Sequence, residues 1–232
     1  MQIKGKKAIV LGGTSGIGLA VTRQLLTAGA TVTAASRSAK HELPAGASLR
    51  QVDVLDRAAL EKLFKELAPF DILVNAATGG ERATGPFLAM DLDGFQGSFQ
   101  KLWGYANSVR LGAPLMSETG SIVLISGFPA RKANPGMAAI STVGNAVEGF
   151  VRAVAPELAP RRINVVAPGV IDTPMFAISG EQRAGFLKQA TARYVIPRAG
   201  TADEVADAVL FLLRNDFTTG TTVDVDGGAL LP

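Results

Sequence analysis

The chain has 232 residues, 47% hydrophobic and 19% charged, with no cysteine and one histidine, His41. The missing cysteine excludes disulfides, thiolate metal sites and a thiol nucleophile, and one histidine excludes a multi-histidine metal site and argues against a Ser-His-Asp triad. Lys and Arg total 23 against 20 Asp and Glu, a net charge of +3, too small an excess for a nucleic-acid footprint. No apolar run reaches membrane-spanning length. The polar start, Met1 to Lys7, runs straight into a strand-like segment. No secretory signal is read there, and a single cytoplasmic domain, residues 1–232, is expected.

Ala8 to Leu11 is a short apolar run closed by Gly12 and Gly13, the pattern of a buried strand. Ile17 to Leu26 has helical spacing and stops at Gly29. Thr31 to Ala35 and Leu49 to Val52 read as strands, Ala58 to Leu67 as a helix, and Ile72 to Asn75 as the fourth strand. A long helical stretch runs from about Leu92 to Leu115, Ser121 to Ile125 is the fifth strand, and Met137 to Leu158 is a second long helix ended by Pro160. Ile163 to Val166, a helix over Glu204 to Leu213, and a short strand at Thr222 to Val225 complete the order. Strands alternating with helices build parallel βαβ units, so the expected class is α/β with a doubly wound parallel sheet.

The first strand-to-helix turn reads Gly12-Gly13-Thr14-Ser15-Gly16-Ile17-Gly18. Glycines there permit a tight turn and close approach of backbone to a pyrophosphate, and the helix start offers free N–H groups and partial positive charge. At the end of the second strand, an acid would bind the ribose 2′-hydroxyl of NAD. This chain has Ser36, then Arg37 and Ser38, which suit the 2′-phosphate of NADP(H). The alternative is a solvated surface arginine.

Further motifs follow in order. Leu11, Gly12, Gly16 and Gly18 fit a Thr-Gly-x-x-x-Gly-x-Gly pattern with leucine for threonine; Asp53 and Val54 fit an adenine-side acid and its neighbour. Asn75-Ala76-Ala77-Thr78 half keeps an Asn-Asn-Ala-Gly, and Pro168-Gly169, Val170-Ile171-Asp172-Thr173 and Val225-Asp226-Gly227-Gly228 close the series. In these motifs the chain resembles the short-chain dehydrogenase/reductase family along essentially its whole length. The resemblance implies a Rossmann-type sheet of seven strands in order 3-2-1-4-5-6-7, a cofactor lying along these motifs, and Ile171 and Thr173 beside the nicotinamide carboxamide.

The family's catalytic set is a Ser, a Tyr-x-x-x-Lys and an Asn. With Pro135-Gly136, Glu148-Gly149, Gly104 and Pro114 as landmarks, the tyrosine position holds Ile140, the lysine position Gly144, the serine position Gly127 and the asparagine position Lys101. No Tyr or Lys lies between Pro135 and Ala159, so a small shift of register does not restore the set.

Three residues are candidates to replace it. Lys101 faces Gly144 if the resemblance holds, and the glycine is expected to leave a void into which the lysine reaches, its pKa lowered by desolvation; otherwise it snorkels to solvent. Ser126, one residue before the serine position, points the other way on a regular strand unless a bend re-aims it. Tyr105 shares a helix face with Lys101 and is either an acid or an apolar packing or interface residue. Trp103 reads as packing, Tyr194 falls in the segment that covers the substrate in this family, and His41 reads as a surface residue.

The leading reading is an NADP(H)-dependent oxidoreductase that reduces a carbonyl or oxidises an alcohol. A catalytically silent NADPH-binding sensor or scaffold is the alternative. A dehalogenase-like enzyme ranks last, because such proteins alter the cofactor turn and keep the Ser-Tyr pair. The covering segment, Pro174 to Pro197, is mixed; its Arg183, Lys188 and Arg193 either bind an acidic group or face water, and a modest, largely apolar carbonyl compound is the expected substrate. The resemblance also implies a dimer or tetramer built through the two long helices, with Leu102, Tyr105, Phe150 and Val154 at the contact. No nucleic-acid or membrane partner is expected.

Overall fold

Alternate residues of the central strands leave one sheet on opposite sides. Ile9, Leu11, Leu73, Ile122, Leu124, Ile163 and Val165 enter one apolar cluster; Ala8, Val10, Ile72, Val74, Val123, Ile125 and Val166 enter the other. A strand covered on both faces has no polar side, which is why these segments read as unbroken apolar runs. The sheet contains β1 (Lys7–Leu11), β2 (Thr31–Ser36), β3 (Ala47–Gln51), β4 (Phe70–Asn75), β5 (Met116–Ile125), β6 (Arg162–Pro168) and β7 (Thr222–Val225). They pair in parallel in the order β3-β2-β1-β4-β5-β6-β7, the Rossmann-type doubly wound order expected. The structure, a computed structural model, describes residues 1–38, 42–78, 82–132 and 134–231; His41 lies outside them.

Helices α1 (Gly16–Thr27) and α7 (Ala202–Arg214) pack on one face through Val21, Leu25, Val205, Val209 and Leu212. Helices α2 (Arg57–Leu67), α4 (Gln100–Gly112) and α5 (Ala138–Leu158) cover the other through Leu60, Phe64, Tyr105, Val109, Val147 and Val151. Asp56 caps α2 by accepting from the Ala59 N–H, and Thr201 with Glu204 forms a reciprocal capping box on α7. Among the described residues, no helix is long and apolar enough to cross a membrane.

Two expectations need correction. The stretch from Leu92 to Leu115 is not one helix but α3 (Leu92–Ser98), α4 and a single 3₁₀ turn at Ala113–Leu115. The break falls at Phe99 (φ −72°, ψ −8°), after a segment weakened by Gly94 and Gly97. The covering segment holds a helix, α6 (Gly180–Thr191), that the sequence did not announce. Only Thr191 of α6 is buried, so it has no apolar stripe to leave a periodic signal.

Candidate active site

The strand order reverses between β1 and β4, and a cleft of about 1370 Å³ opens at the carboxyl ends of the strands there. The glycine turn forms its floor. Gly12 has φ +76°, and a Cβ there would meet Ala77 N at 2.8 Å and Ala76 C at 2.9 Å. A Cβ on Gly18 would fall 2.0 Å from the Gly12 carbonyl oxygen, so helix and turn meet backbone to backbone. Thr22 locks the turn by donating to the Gly13 and Gly18 carbonyls, each at 3.0 Å. The Ser15 side chain makes no capping bond to α1. Ser15, Gly16, Ile17 and Gly18 line the cleft beside Thr14, and the N–H groups of the first turn have no side-chain cap. This is a cradle in which a Cβ would collide and a phosphate would find donors.

At the adenosine end, Ser36 Oγ donates to the Ser38 carbonyl at 2.6 Å, and the Gln51 amide donates to the Arg37 carbonyl at 2.9 Å. Arg37 is exposed on the cleft wall, with Asp53 and Val54 opposite. Asp53 Oδ1 accepts from the Leu55 N–H at 2.9 Å. Asn75 differs from its expectation as a cofactor contact. It is fully buried; its Nδ2 donates to Ser108 Oγ at 2.9 Å and its Oδ1 accepts from the Ala77 N–H at 3.0 Å. The side chain is a bracket behind the wall that Ala76 and Ala77 present to the cleft.

The opposite wall follows β6. Pro168 ends the strand, and Gly169 is pressed against β7, where a Cβ would meet Asp226 Cα at 2.9 Å. Ile171 and Thr173 are buried in the cleft wall, Thr173 next to Gly16. The Val170 N–H donates to Tyr194 Oη at 3.2 Å. Burial raises the Tyr194 pKa, and the Val170 bond lowers it in part. Arg183 does not face water. It reaches from α6 to Asp172 Oδ1 at 2.8 Å and to the carbonyls of Thr173, Phe176 and Ile178 at 2.8, 2.9 and 3.2 Å, tying the covering segment to the wall.

The three catalytic candidates meet at the inner end. Lys101, half-buried at the start of α4, donates through Nζ to the Ser126 carbonyl at 3.3 Å and stands 5.6 Å over the Tyr105 ring. Burial, with the charge of Arg82 added, lowers its pKa to about 8. Ser126 Oγ donates across to the Gly144 carbonyl at 3.3 Å. The void expected at Gly144 is absent: a Cβ there would meet Ala130 Cβ at 2.8 Å and Ser126 Oγ at 3.3 Å. Helix α5 closes on the 3₁₀ turn at Phe128–Ala130, and Lys101 lies beside the Ser126 backbone instead.

Tyr105 follows its packing alternative and lies in the core under α4. Its hydroxyl donates to the Ile125 carbonyl at 2.8 Å, and burial pushes its pKa well above the usual range. At 1% exposure it is not available to a second subunit either. Apart from Asn75, every residue singled out as catalytic or cofactor-binding lines this one cleft. Arg82, which belongs to no motif, lines it too.

The fold and this cleft define a dinucleotide-binding α/β protein of the oxidoreductase type. A family model described as enoyl-(acyl carrier protein) reductase matches residues 12–229. The short-chain dehydrogenase/reductase ATR9 of Stachybotrys chlorohalonatus is 32% identical, over 99% of this chain and 98% of its own. The 3-oxoacyl-(acyl-carrier-protein) reductase FabG of Escherichia coli is 34% identical, over 98% of each chain. A small-chain dehydrogenase solved in complex with NADPH superposes with a TM-score of 0.84 at 28% identity, covering 99% of this chain and 100% of the other. The chain belongs to the short-chain dehydrogenase/reductase family.

Proposed function

We propose that residues 1–232 form one NADP(H)-dependent oxidoreductase unit that reduces a small carbonyl compound, or oxidises the corresponding alcohol, with relocated catalytic groups. Bound along the cleft, NADPH supplies the hydride. Gly12, Thr14, Ser15, Gly16, Ile17 and Gly18 hold its pyrophosphate; Arg37 with Ser36 and Ser38 takes the 2′-phosphate. Asp53 and Val54 flank the adenine, Ala76 and Ala77 carry the ribose side, and Pro168, Gly169, Ile171 and Thr173 hold the nicotinamide end. The similar small-chain dehydrogenase solved with NADPH supports the choice of cofactor.

The observation that carries the chemistry is the Lys101 ammonium, 3.3 Å from the Ser126 carbonyl at the carboxyl edge of the sheet. It sits where the family's motif places asparagine, in the same cleft as Ile140 and Gly144, which hold the tyrosine and lysine positions. Lys101 gives an Nζ proton to the carbonyl oxygen as charge develops there and recovers one from water in the cleft. Ser126 Oγ, held among the described residues by the long bond to Gly144, turns to donate to the same oxygen. Tyr105 presents its ring face to the ammonium and keeps its own proton on Ile125. The reductase names of the relatives favour turnover over a silent sensor.

Initial rates of NADPH and NADH oxidation over aldehydes, ketones and quinones test the activity and the coenzyme together. NADPH is expected to be preferred. Arg37→Ala is expected to raise the NADPH Kd about 10- to 100-fold and leave the NADH Kd within about twofold. An equal loss for both coenzymes would remove Arg37 from the 2′-phosphate.

Assembly through α4 and α5 fits the surface. Trp103 on α4 does not pack in the core as expected but is 58% exposed, and Leu102, Phe150 and Val154 are only partly buried on the two helices. Light scattering is expected to give a dimer or tetramer, and Trp103→Glu to shift it toward monomer.

A further inference from the structure

Away from the adenosine end, Arg82, Lys101, Lys132 and Arg193 line the cleft with no described acid among the lining residues there, and Arg82 and Lys101 form its inner pair. Arg82 follows β4 and stands open to the lumen; Lys101 comes from α4. The Ala83 N–H donates to Ser98 Oγ at 2.9 Å, which ties the residue after Arg82 to the helix end three residues before Lys101, and the charge of Arg82 lowers the Lys101 pKa. Neither has an ion-pair partner among the described residues. Their acceptors are weak and neutral. Arg82 Nη2 rests on Met175 Sδ at 2.7 Å, and Lys101 has a carbonyl at 3.3 Å and the face of Tyr105. Asp53 is the only acid among the described lining residues; it belongs to the adenosine end and already accepts from Leu55. Two like charges held together in a partly desolvated wall repel each other and have lost water, a cost that an anion between them would cancel. The phosphate cradle and Arg37 account for the anionic groups of the cofactor elsewhere in the cleft.

The rest of this end is apolar. Phe128, Ile140, Val143, Phe176 and Phe186 line it. We propose that Arg82, with Lys101 beside it, binds an anionic head group on the carbonyl substrate, so that the enzyme acts on oxo acids or phosphorylated carbonyls with an apolar body rather than on neutral carbonyl compounds. The guanidinium takes two oxygens of a carboxylate or phosphate in a planar fork, which the thioether of Met175 cannot match. This rests on the proposed reductase reading and sharpens it, replacing a merely apolar substrate by an amphiphilic one.

The test uses matched pairs with the full chain. One pair is 2-oxo-4-phenylbutanoate and its methyl ester; the other is dihydroxyacetone phosphate and dihydroxyacetone. Wild type is expected to favour the anionic member of at least one pair by about tenfold or more in kcat/KM, and the pair that responds tells carboxylate from phosphate. Arg82→Gln is expected to lower kcat/KM for the anion about 10- to 100-fold more than for its neutral partner. A second readout needs no turnover: calorimetric titration of the anion into enzyme saturated with NADP⁺ is expected to show a Kd raised by the same factor in Arg82→Gln, with the NADPH Kd unchanged. Equal rates for both members of each pair, equal losses for both, or a weakened NADPH Kd would each overturn the head-group site. If no carbonyl is reduced at all, the reductase reading fails. Calorimetric binding of the anion, lost in Arg82→Gln, would still support the anion site, and no such binding would reject it.

Discussion

Lys101→Met is expected to lower kcat for carbonyl reduction roughly 100- to 10,000-fold, the usual contribution of a positioned proton donor, while the Kd for NADPH stays within about twofold. The wild-type pH profile carries the same signature. Lys101 holds its proton with a pKa of about 8, so kcat/KM for reduction is expected to be flat below pH 8 and to fall above it, as the ammonium loses the proton it must give. The charged group that faces it from outside its own helix is Arg82; Ser126 and Tyr105 face it as neutral groups. Turnover that survives the substitution would pass proton donation to Ser126 or to an ordered water.

Stability gives an independent check of the same residue. The folded-state pKa lies below the ordinary value of 10.5, so the native protein binds this proton less tightly than the unfolded chain. The resulting penalty is fully present below pH 8 and disappears as the pH rises toward 10.5. Lys101→Met is therefore expected to raise Tm at pH 7, with the gain shrinking above pH 8. A lysine that merely snorkels to solvent would give no gain and no pH dependence in differential scanning calorimetry.

Gly18→Ala is expected to abolish most cofactor affinity and to destabilise the fold together. The added Cβ would sit 2.0 Å from the Gly12 carbonyl oxygen, so α1 must move away from the turn that positions it. Neither atom belongs to a flexible side chain that can give way. Overpacking of this kind costs about 1–3 kcal/mol, and a chain of this size loses about 2–4 °C of Tm per kcal/mol. NADPH affinity is expected to fall at least tenfold, because the same movement pulls the N–H groups of α1 away from the phosphates. Gly97→Ala is the control. A Cβ there meets nothing within 4 Å, and a helical glycine replaced by alanine is expected to gain up to about 1 kcal/mol. If both substitutions behave alike in calorimetry and in NADPH titration, close packing of helix on turn is not what the cradle depends on.

The parallel sheet and the cofactor cleft were legible in the sequence for local reasons, and the strand order followed from the family resemblance. A short unbroken apolar run closed by glycines fits a strand covered on both faces, and a glycine turn between such a strand and a helix fits a phosphate cradle. These signals depend on neighbouring residues, so they survive in one dimension. Arg37 was legible in the same way, as a charge next to a strand end that lines the cleft. Helix α6 was not, because a helix that buries only Thr191 leaves no periodic pattern.

The inner end of the cleft was decided elsewhere. From composition and register, Gly144 promised a void; in three dimensions Ala130 fills it, since α5 is free to close on the turn after β5 once no side chain holds them apart. Tyr105 and Lys101 lie on one helix face, as their spacing required, yet the hydroxyl is committed to the Ile125 carbonyl and only the ammonium remains for chemistry. Asn75 carried a family motif and proved to be a bracket, because its Nδ2 is taken by Ser108 from α4 and its Oδ1 by the Ala77 N–H. Arg82 carried no motif at all, and its proximity to Lys101 arises only when the loop after β4 folds over the start of α4. Local pattern determined the scaffold and the place where a dinucleotide fits. Which side chains keep a proton, a charge or a free face was set by contacts between segments far apart in the chain, which spacing along a sequence does not encode.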